Sequence, residues 1–224
     1  MKIIAVADLH GRLPEIEPCD LLLIGGDSLP MFSHSLDYQR AWSNKHFYPW
    51  LDSVPADEVV GIGGNHDFLF ESDPLEAEAL PWTYASDRVV EVGDLRIYGH
   101  PWVPYLPNWA FHGESAIVNY LLEEVPEGID ILLSHGPPYK AGTADQVLDG
   151  EHVGCPDLRA AVNRIKPKAI VCGHIHEGYG EHRIGVPSEN GGSGTAGYEF
   201  IPVYNVAHNN VYYEPVNAPV EIEL

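Results

Sequence analysis

The sequence predicts an α/β domain in which strands alternate with helices. Short apolar runs recur along the chain, at lengths typical of buried strands rather than of helices. Helices are predicted between them at 36–51, 115–124 and 156–165. Antiparallel, hairpin-like parts are predicted around 88–98 and 198–214. The runs predicted as strands are Ile3–Ala7, Leu21–Ile24, Val59–Ile62, Arg96–Tyr98, Ile131–Leu133, Ala169–Cys172, Val203–Val206 and Val211–Tyr213.

The composition restricts the class of protein. A chain of 224 residues without a linker or an internal repeat is expected to form a single domain spanning 1–224. Its formal net charge of −21 disfavours nucleic acid as a partner, because an acidic surface repels phosphate backbones. The apolar runs fall short of the roughly 20 residues that cross a bilayer. Three cysteines without close spacing predict no disulfide framework, so we expect a cytoplasmic protein away from membranes.

Five of the apolar runs end in Asp, Asn or His. The carboxyl ends of neighbouring strands in an open α/β sheet form the crevice where ligands bind, so these side chains are expected to converge. Any one of them alone is explained by a turn or a helix cap, whereas repetition at five strand ends is not. The endings are Asp8-Leu-His10, Gly-Gly-Asp27, Gly-Gly-Asn65-His66-Asp67, Ser-His135-Gly and Gly-His174-Ile-His176.

This ordered set resembles the calcineurin-like metallophosphoesterase superfamily. The segments SHGPP at 134–138, HVGCPDL at 152–158 and GHIHEGYG at 173–180 are similar to the metallophosphoesterase-domain (MPPED-type) subfamily of small phosphodiesterases. The resemblance implies a sandwich of two mixed β-sheets flanked by helices, with a dinuclear metal site at the carboxyl ends of strands. One departure is Asp67, where that subfamily often has Glu. Another is the sequence after Asp27, Ser-Leu-Pro, which lacks the Asp-Arg pair of protein phosphatases.

Carried over residue by residue, the resemblance implies two divalent metal ions bridged by Asp27. Oxygen and nitrogen donors without a thiolate suit Mn²⁺, Fe, Co²⁺ or Zn²⁺, and we expect Mn²⁺ to activate best. The implied mechanism is attack by a metal-bound hydroxide, with His66 as general acid or cationic donor. Asp67 either orients His66 or stabilises its turn. Asp8, His10 and His176 match the ligands of the first ion, Asn65, His135 and His174 match those of the second, and Asn65, His66 and Asp67 form the expected catalytic group.

The predicted function is a dinuclear metal-dependent phosphodiesterase that hydrolyses small phosphodiesters, with cyclic nucleotides among the candidates. A phosphomonoesterase or a nuclease on the same metal core is an alternative. A non-catalytic binding scaffold is a third reading, but it would be expected to have lost at least one ligand. The sequence does not indicate the oligomeric state.

Several residues outside the motif are also candidates for the pocket. The loop at 99–113 is rich in proline and aromatic residues, which either stack on a nucleobase or anchor the loop. The glycine-rich stretch 189–197 is predicted as a loop and lacks the phosphate-binding P-loop pattern. Further candidates from loops and distant positions are Trp102, Tyr105, Trp109, Phe111, His34, His112, Arg12 and Arg40.

Overall fold

The first of two large sheets carries the N-terminal part of the chain. The structure, a computed structural model, describes residues 1–104, 106–188 and 197–224. The strands of this sheet are β1 (Ile3–Val6), β2 (Cys19–Ile24), β3 (Ala56–Gly61), β4 (Thr83–Tyr84) and β13 (Val220–Ile222). They lie in the order β13-β1-β2-β3-β4, with β13 antiparallel to β1 and the others parallel.

The second sheet has a parallel centre and an antiparallel hairpin at each edge. Its strands are β5 (Val89–Val92), β6 (Leu95–His100), β9 (Ile131–Ser134), β10 (Ala169–Cys172), β11 (Gly180–Pro187) and β12 (Tyr198–Asn205). Their order is β11-β12-β10-β9-β6-β5. A small separate pair is formed by β7 (Val103–Pro104) and β8 (His112–Gly113). Both sheets are therefore mixed, as the resemblance implies.

Helices cover the outer face of each sheet. The last helix begins at Pro156 after a Cys155 cap and ends where Lys166 turns left-handed at a φ of 45°. None of the helices in the described part of the chain is long and apolar enough to cross a membrane. The helices are α1 (Leu36–Trp42), α2 (Tyr48–Ser53), α3 (Phe68–Ser72) and α4 (Pro74–Glu78) over the first sheet, and α5 (Ser115–Glu123) and α6 (Pro156–Ile165) over the second.

The central strands are buried on both faces, which explains their uninterrupted apolar sequence. In β1, Ile3 and Ala5 point into the layer between the two sheets, whereas Ile4 and Val6 point towards the helices. Successive side chains of a strand alternate between faces, so a strand covered on both sides reads as a continuous apolar run. Polar side chains are consequently placed at the strand ends.

Three of the sequence predictions are corrected. The helix predicted at 36–51 is interrupted by a π-helical turn, Ser43–Phe47, that separates α1 from α2. The run Val211–Tyr213 is a turn rather than a strand, and Tyr213 has a left-handed φ of 58°. The hairpin predicted around 198–214 is wrong as well, because β12 pairs antiparallel with β11, which precedes it. Residues 189–196 of the predicted glycine-rich loop lie outside the described residues.

Candidate active site

The five strand ends meet at one edge of the sandwich and bring their polar side chains together. On one side, His176 Nε2 lies 3.4 Å from Asp8 Oδ1 and 3.3 Å from His10 Nε2. On the other, His135 Nε2 lies 2.9 Å from Asn65 Oδ1. Asp27 stands between the two groups, because its Oδ2 is 3.8 Å from His10 Nε2 and 3.5 Å from His135 Nε2. The sheets thus place Asp27 in the central position predicted for a bridging carboxylate.

The spacing and chemistry of these atoms fit divalent metal ions. Ligand atoms about 2.1 Å from one ion, at angles between octahedral and tetrahedral, lie roughly 3.0–3.4 Å from each other. Asp8 Oδ1 is buried without a hydrogen-bond partner. Three groups have ligand atoms all within 4.8 Å of one another, namely Asp8 with His10 and His176, His10 with Asp27 and His66, and Asp8 with Asp27 and His135.

Two residues are placed differently from the other candidates. His174 joins the cluster through its ring, whose centroid is 5.1 Å from that of His135, and through its backbone N–H, which donates to Asp8 Oδ2 over 2.8 Å. His66 Nε2 lies 4.0 Å from Asp27 Oδ2, so this imidazole lies beside the candidate ligands.

Backbone carbonyls orient two of the imidazoles. His135 Nδ1 lies 2.9 Å from the carbonyl oxygen of Gly25, and His176 Nδ1 lies 2.9 Å from that of Asn210. A carbonyl only accepts, so each Nδ1 carries the proton and donates it. Each Nε2 then points at the cluster of carboxylates, which is how second partners of metal-ligating histidines fix the tautomer.

The electrostatics of the cluster favour cations. Burial opposes ionisation of Asp27, yet the facing imidazoles, His135 foremost, hold the pKa of this carboxyl well below its usual range. Although burial lowers it, the Asp27 carboxylate raises the pKa of His135 to about 9, and Asp8 does the same for His176, also to about 9. Burial lowers the pKa of His10 to about 4. Protons on two imidazoles thus balance the buried carboxylates, and metal ions would displace those protons.

Close approach explains the glycines that precede the ligands. A Cβ at Gly64 would lie 2.4 Å from Asp27 Oδ1, and a Cβ at Gly173 would lie 2.2 Å from Asp8 Oδ2. The ligand loops also carry left-handed backbone at non-glycine residues, with φ of 54° at Asp8 and 52° at Asp27. Such backbone costs of order 1–3 kcal/mol per residue and clusters at functional sites.

His66 is held by hydrogen bonds of its backbone and by contacts of its ring. Its backbone N–H donates to Asp27 Oδ1 over 2.7 Å, and its carbonyl accepts from Gln39 Nε2 over 2.7 Å. Its Nδ1 lies 3.3 Å from His34 Nε2. The ring of Trp109 covers it, with centroids 4.4 Å apart. His34, one of the two loop histidines considered from the sequence, therefore reaches the site.

Asp67 adopts the turn-stabilising one of its two predicted roles. Its Oδ1 accepts from the backbone N–H of Leu29 over 2.9 Å, and its Oδ2 accepts from Gly64 over 2.9 Å and Ser28 over 3.2 Å. The carboxylate therefore ties the loop after β2 to the loop after β3, instead of pointing at the imidazole of His66.

The aromatic loop mostly anchors itself to the core. Trp102 Nε1 donates to Asp87 Oδ2 over 2.6 Å, and the Phe111 ring is buried. Trp109 alone of the described aromatic candidates contacts His66, while Tyr105 lies outside the described residues. The guanidinium of Arg40 is engaged by carboxylates, and Arg12 is exposed.

The sequence interpretation missed residues near the C-terminus. Asn209 Nδ2 donates to the carbonyl oxygens of Asp8 and Leu9, and Asn210 supplies the carbonyl for His176. The ring of Tyr213 lies 4.9 Å from that of His10, measured between centroids. These residues follow no periodic pattern, so the sequence carries no local signal for them.

A two-sheet sandwich with such a cluster of Asp, Asn and His at its strand ends defines a class, the metal-dependent phosphoesterases. Comparison with known proteins gives the family: the calcineurin-like phosphoesterase model matches residues 1–178, and the chain belongs to that family. It is 31% identical over 255 residues to metallophosphoesterase domain-containing protein 1 of Homo sapiens, covering 100% of this chain and 71% of the relative.

Other proteins are similar in sequence or in fold. A protein of Methanocaldococcus jannaschii is 28% identical over 195 residues, covering 83% of this chain and 84% of its own length. The solved structure of TT1561 from Thermus thermophilus has a TM-score of 0.53 at 13% identity, covering 93% of this chain and 91% of that chain. A second solved structure has a TM-score of 0.58 at 16% identity, covering 98% and 94%.

Proposed function

We propose that this metal-dependent phosphoesterase is a phosphodiesterase for small organic phosphodiesters, with two divalent ions per chain and Mn²⁺ as the best activator. The observation that carries the proposal is the placement of Asp27 between two groups of ligand atoms, 3.8 Å from His10 Nε2 and 3.5 Å from His135 Nε2. Cyclic nucleotides are candidate substrates within this class.

The two groups divide the ligands between the ions. Asp8, His10 and His176 would hold the first ion, Asn65, His135 and His174 the second, and Asp27 both. When bound, the cations supply a water of lowered pKa as nucleophile and stabilise charge on the phosphate oxygens.

The chain's own residues hold and protonate the substrate. His66 Nε2 faces the cluster while its Nδ1 lies 3.3 Å from His34 Nε2. An imidazole in this position is placed to donate a proton to the leaving alkoxide. Trp109 packs against this imidazole, with ring centroids 4.4 Å apart, and His66 is buried.

The charge balance supports small substrates over polyanions. Two divalent ions exceed the charge of two buried carboxylates, so the loaded site is locally cationic within a chain of net charge −21. The acidic surface repels the one charged group of a small anion, whereas it repels a long nucleic acid along its whole length.

The pocket lining supports diesters over monoesters. The cavity next to the second sheet's histidines has a volume of about 190 Å³, and its described lining residues include neither Lys nor Arg; they are His174, His176, Glu177, Val211 and Tyr213. The guanidinium of Arg40 pairs with Glu76 instead of reaching the cluster. The second negative charge of a monoester therefore has no Lys or Arg partner among these lining residues.

Three free, buried cysteines support a reducing, cytoplasmic location.

The substrate assignment is tested with metal-free protein reconstituted ion by ion, comparing kcat/KM on a nitrophenyl diester, a nitrophenyl monoester and long DNA or RNA at fixed salt. We expect the diester to be hydrolysed best, with Mn²⁺ most effective. A higher kcat/KM on the monoester, or efficient degradation of nucleic acid, would replace the proposal by one of the two alternative enzymes.

A further inference from the structure

Two loops from different sheets supply the residues assigned to the first metal ion. The loop of residues 8–10 follows β1 and carries Asp8 and His10, and the loop of residues 174–176 follows β10 and carries His176. The spacing between their ligand atoms therefore depends on whatever joins the two sheets at this edge.

One stretch of chain, residues 205–210, joins them; we call it the bridging segment. The backbone N–H of Val206 donates to the carbonyl of Cys172 over 2.8 Å, at the end of β10. The N–H of Ala7, at the end of β1, donates to the carbonyl of Val206 over 2.9 Å, and the N–H of His208 donates back to Ala7 over 2.8 Å. The bridging segment is thus bonded to both strands at once.

Asn209 fixes the first loop. Its side chain is fully buried, and its amide group donates to the carbonyl of Asp8 over 2.6 Å and to that of Leu9 over 3.0 Å. The loop backbone is left-handed at Asp8 and His10, with φ of 54° and 45°, and the carbonyl of Leu9 also accepts from the backbone N–H of Arg12 over 2.7 Å. One amide with two donors therefore holds the backbone that aims both ligands.

The same segment fixes the second loop. The carbonyl of Asn210 accepts from His176 Nδ1 over 2.9 Å, which leaves Nε2 directed at Asp8. The side chain of Asn205 donates to the carbonyl of Ile175 over 2.8 Å. The segment therefore positions ligands that come from both sheets.

We propose that the bridging segment sets the geometry of the first metal site, with Asn209 as its principal positioning residue. The inference rests on the proposed metal assignment. The bridging segment lies beyond residues 1–178, which the family model matches. The second site is oriented from elsewhere, since His135 donates to the carbonyl of Gly25. Loss of Asn209 should accordingly lower the affinity for the first ion and leave the affinity for the second unchanged.

The test compares Asn209→Ala with a control, Asn119→Ala. Asn119 is also an asparagine whose Nδ2 donates a hydrogen bond, to Glu123 Oε1 over 2.9 Å, but it lies on α5, outside the bridging segment and both ligand loops. Mn²⁺ is titrated calorimetrically into metal-free wild type and both variants, and electron paramagnetic resonance reports whether the bound ions are spin-coupled. Thermal unfolding without metal checks that each variant is folded.

Wild type should bind two Mn²⁺ ions with a coupled signal, and Asn119→Ala should do the same. Asn209→Ala should bind one ion with wild-type affinity and the other about 10–100-fold more weakly, giving an uncoupled signal at one equivalent. Equal weakening of both ions, or unchanged binding, would overturn the inference while leaving the proposed function standing. Absence of metal binding by wild type would refute the proposed function and this inference with it. Should Asn209→Ala fail to fold, Asn209→Ser, which keeps one donor, is expected to show a smaller selective loss.

Discussion

Gly64→Ala tests whether the glycine before the Asn-His pair is required by the metal cluster. A Cβ there would lie 2.4 Å from Asp27 Oδ1, 2.5 Å from the Asp27 backbone N and 2.6 Å from His135 Cε1. Ordinary contacts begin at about 3.5 Å, so the new methyl overlaps these atoms by about 1 Å. The backbone N cannot rotate away as a side chain can, and Asp27 Oδ1 is already held by the N–H of His66.

The overlap has two measurable consequences. Overpacking a buried site costs about 1–3 kcal/mol, which corresponds to a fall in Tm of about 2–12 °C for a domain of this size. Metal ligands must keep their distances to the ion within about 0.2 Å. Displacement of Asp27 should therefore lower the affinity for both ions by at least about 10–100-fold.

The assays are thermal unfolding of the metal-free protein and Mn²⁺ titration. Gly185→Ala is the matched control, because its Cβ would meet Phe200 Cε1 at an ordinary 3.4 Å. We expect Gly185→Ala to keep wild-type Tm and affinity. A Gly64→Ala variant with unchanged metal affinity would refute the inference that close approach to Asp27 requires glycine.

Three further outcomes are expected. His66→Ala should keep its metal ions and lose about 10²–10⁴-fold in kcat, less for a nitrophenyl leaving group that needs no proton; equal losses for good and poor leaving groups would argue against the general-acid role. His34 Nε2 lies 3.3 Å from His66 Nδ1, so His34 is expected to act through His66. His34→Ala should then lower kcat in the wild-type background but cause no further loss in the His66→Ala background, and additive losses would show an independent role. Burial lowers the pKa of His135 and of His176, but the facing carboxylates outweigh burial and raise each pKa to about 9, above the ordinary 6.5. Their stabilisation of the metal-free protein is therefore complete below pH 6.5 and lost as pH rises through about 9, so Tm measured with a chelator should fall over that interval, and a flat profile would contradict the pairing.

Much of the fold could be predicted because the strands are buried on both faces. Runs such as Ile131–Leu133 and Ala169–Cys172 are apolar throughout and lie within β9 and β10. Edge strands carry a weaker signal, and β11, with only Ile184 and Val186 fully buried, was missed. Tyr213 belongs to an apolar triplet but turns left-handed, which tertiary contacts impose and local composition does not reveal.

The candidate site could be predicted to the extent that its residues follow strand ends. Repetition of Asp, Asn and His at the ends of apolar runs points to the candidate ligands, because each run and its ending are adjacent in the sequence. Asn209 and Asn210 act through hydrogen bonds to loops about 200 and 34 positions away in sequence, at Asp8 and His176. Such partners depend on how the two sheets are joined, and a single sequence contains no periodicity that reports it.

The metal content of wild type and Asp27→Ala tests the central claim most directly. Asp27 lies between both ligand groups, 3.8 Å from His10 Nε2 and 3.5 Å from His135 Nε2, so both ions depend on it. After reconstitution with Mn²⁺ and removal of free metal, elemental analysis should find two ions per wild-type chain and almost none in Asp27→Ala, provided that circular dichroism shows the variant folded. Two ions per chain in Asp27→Ala would contradict the account.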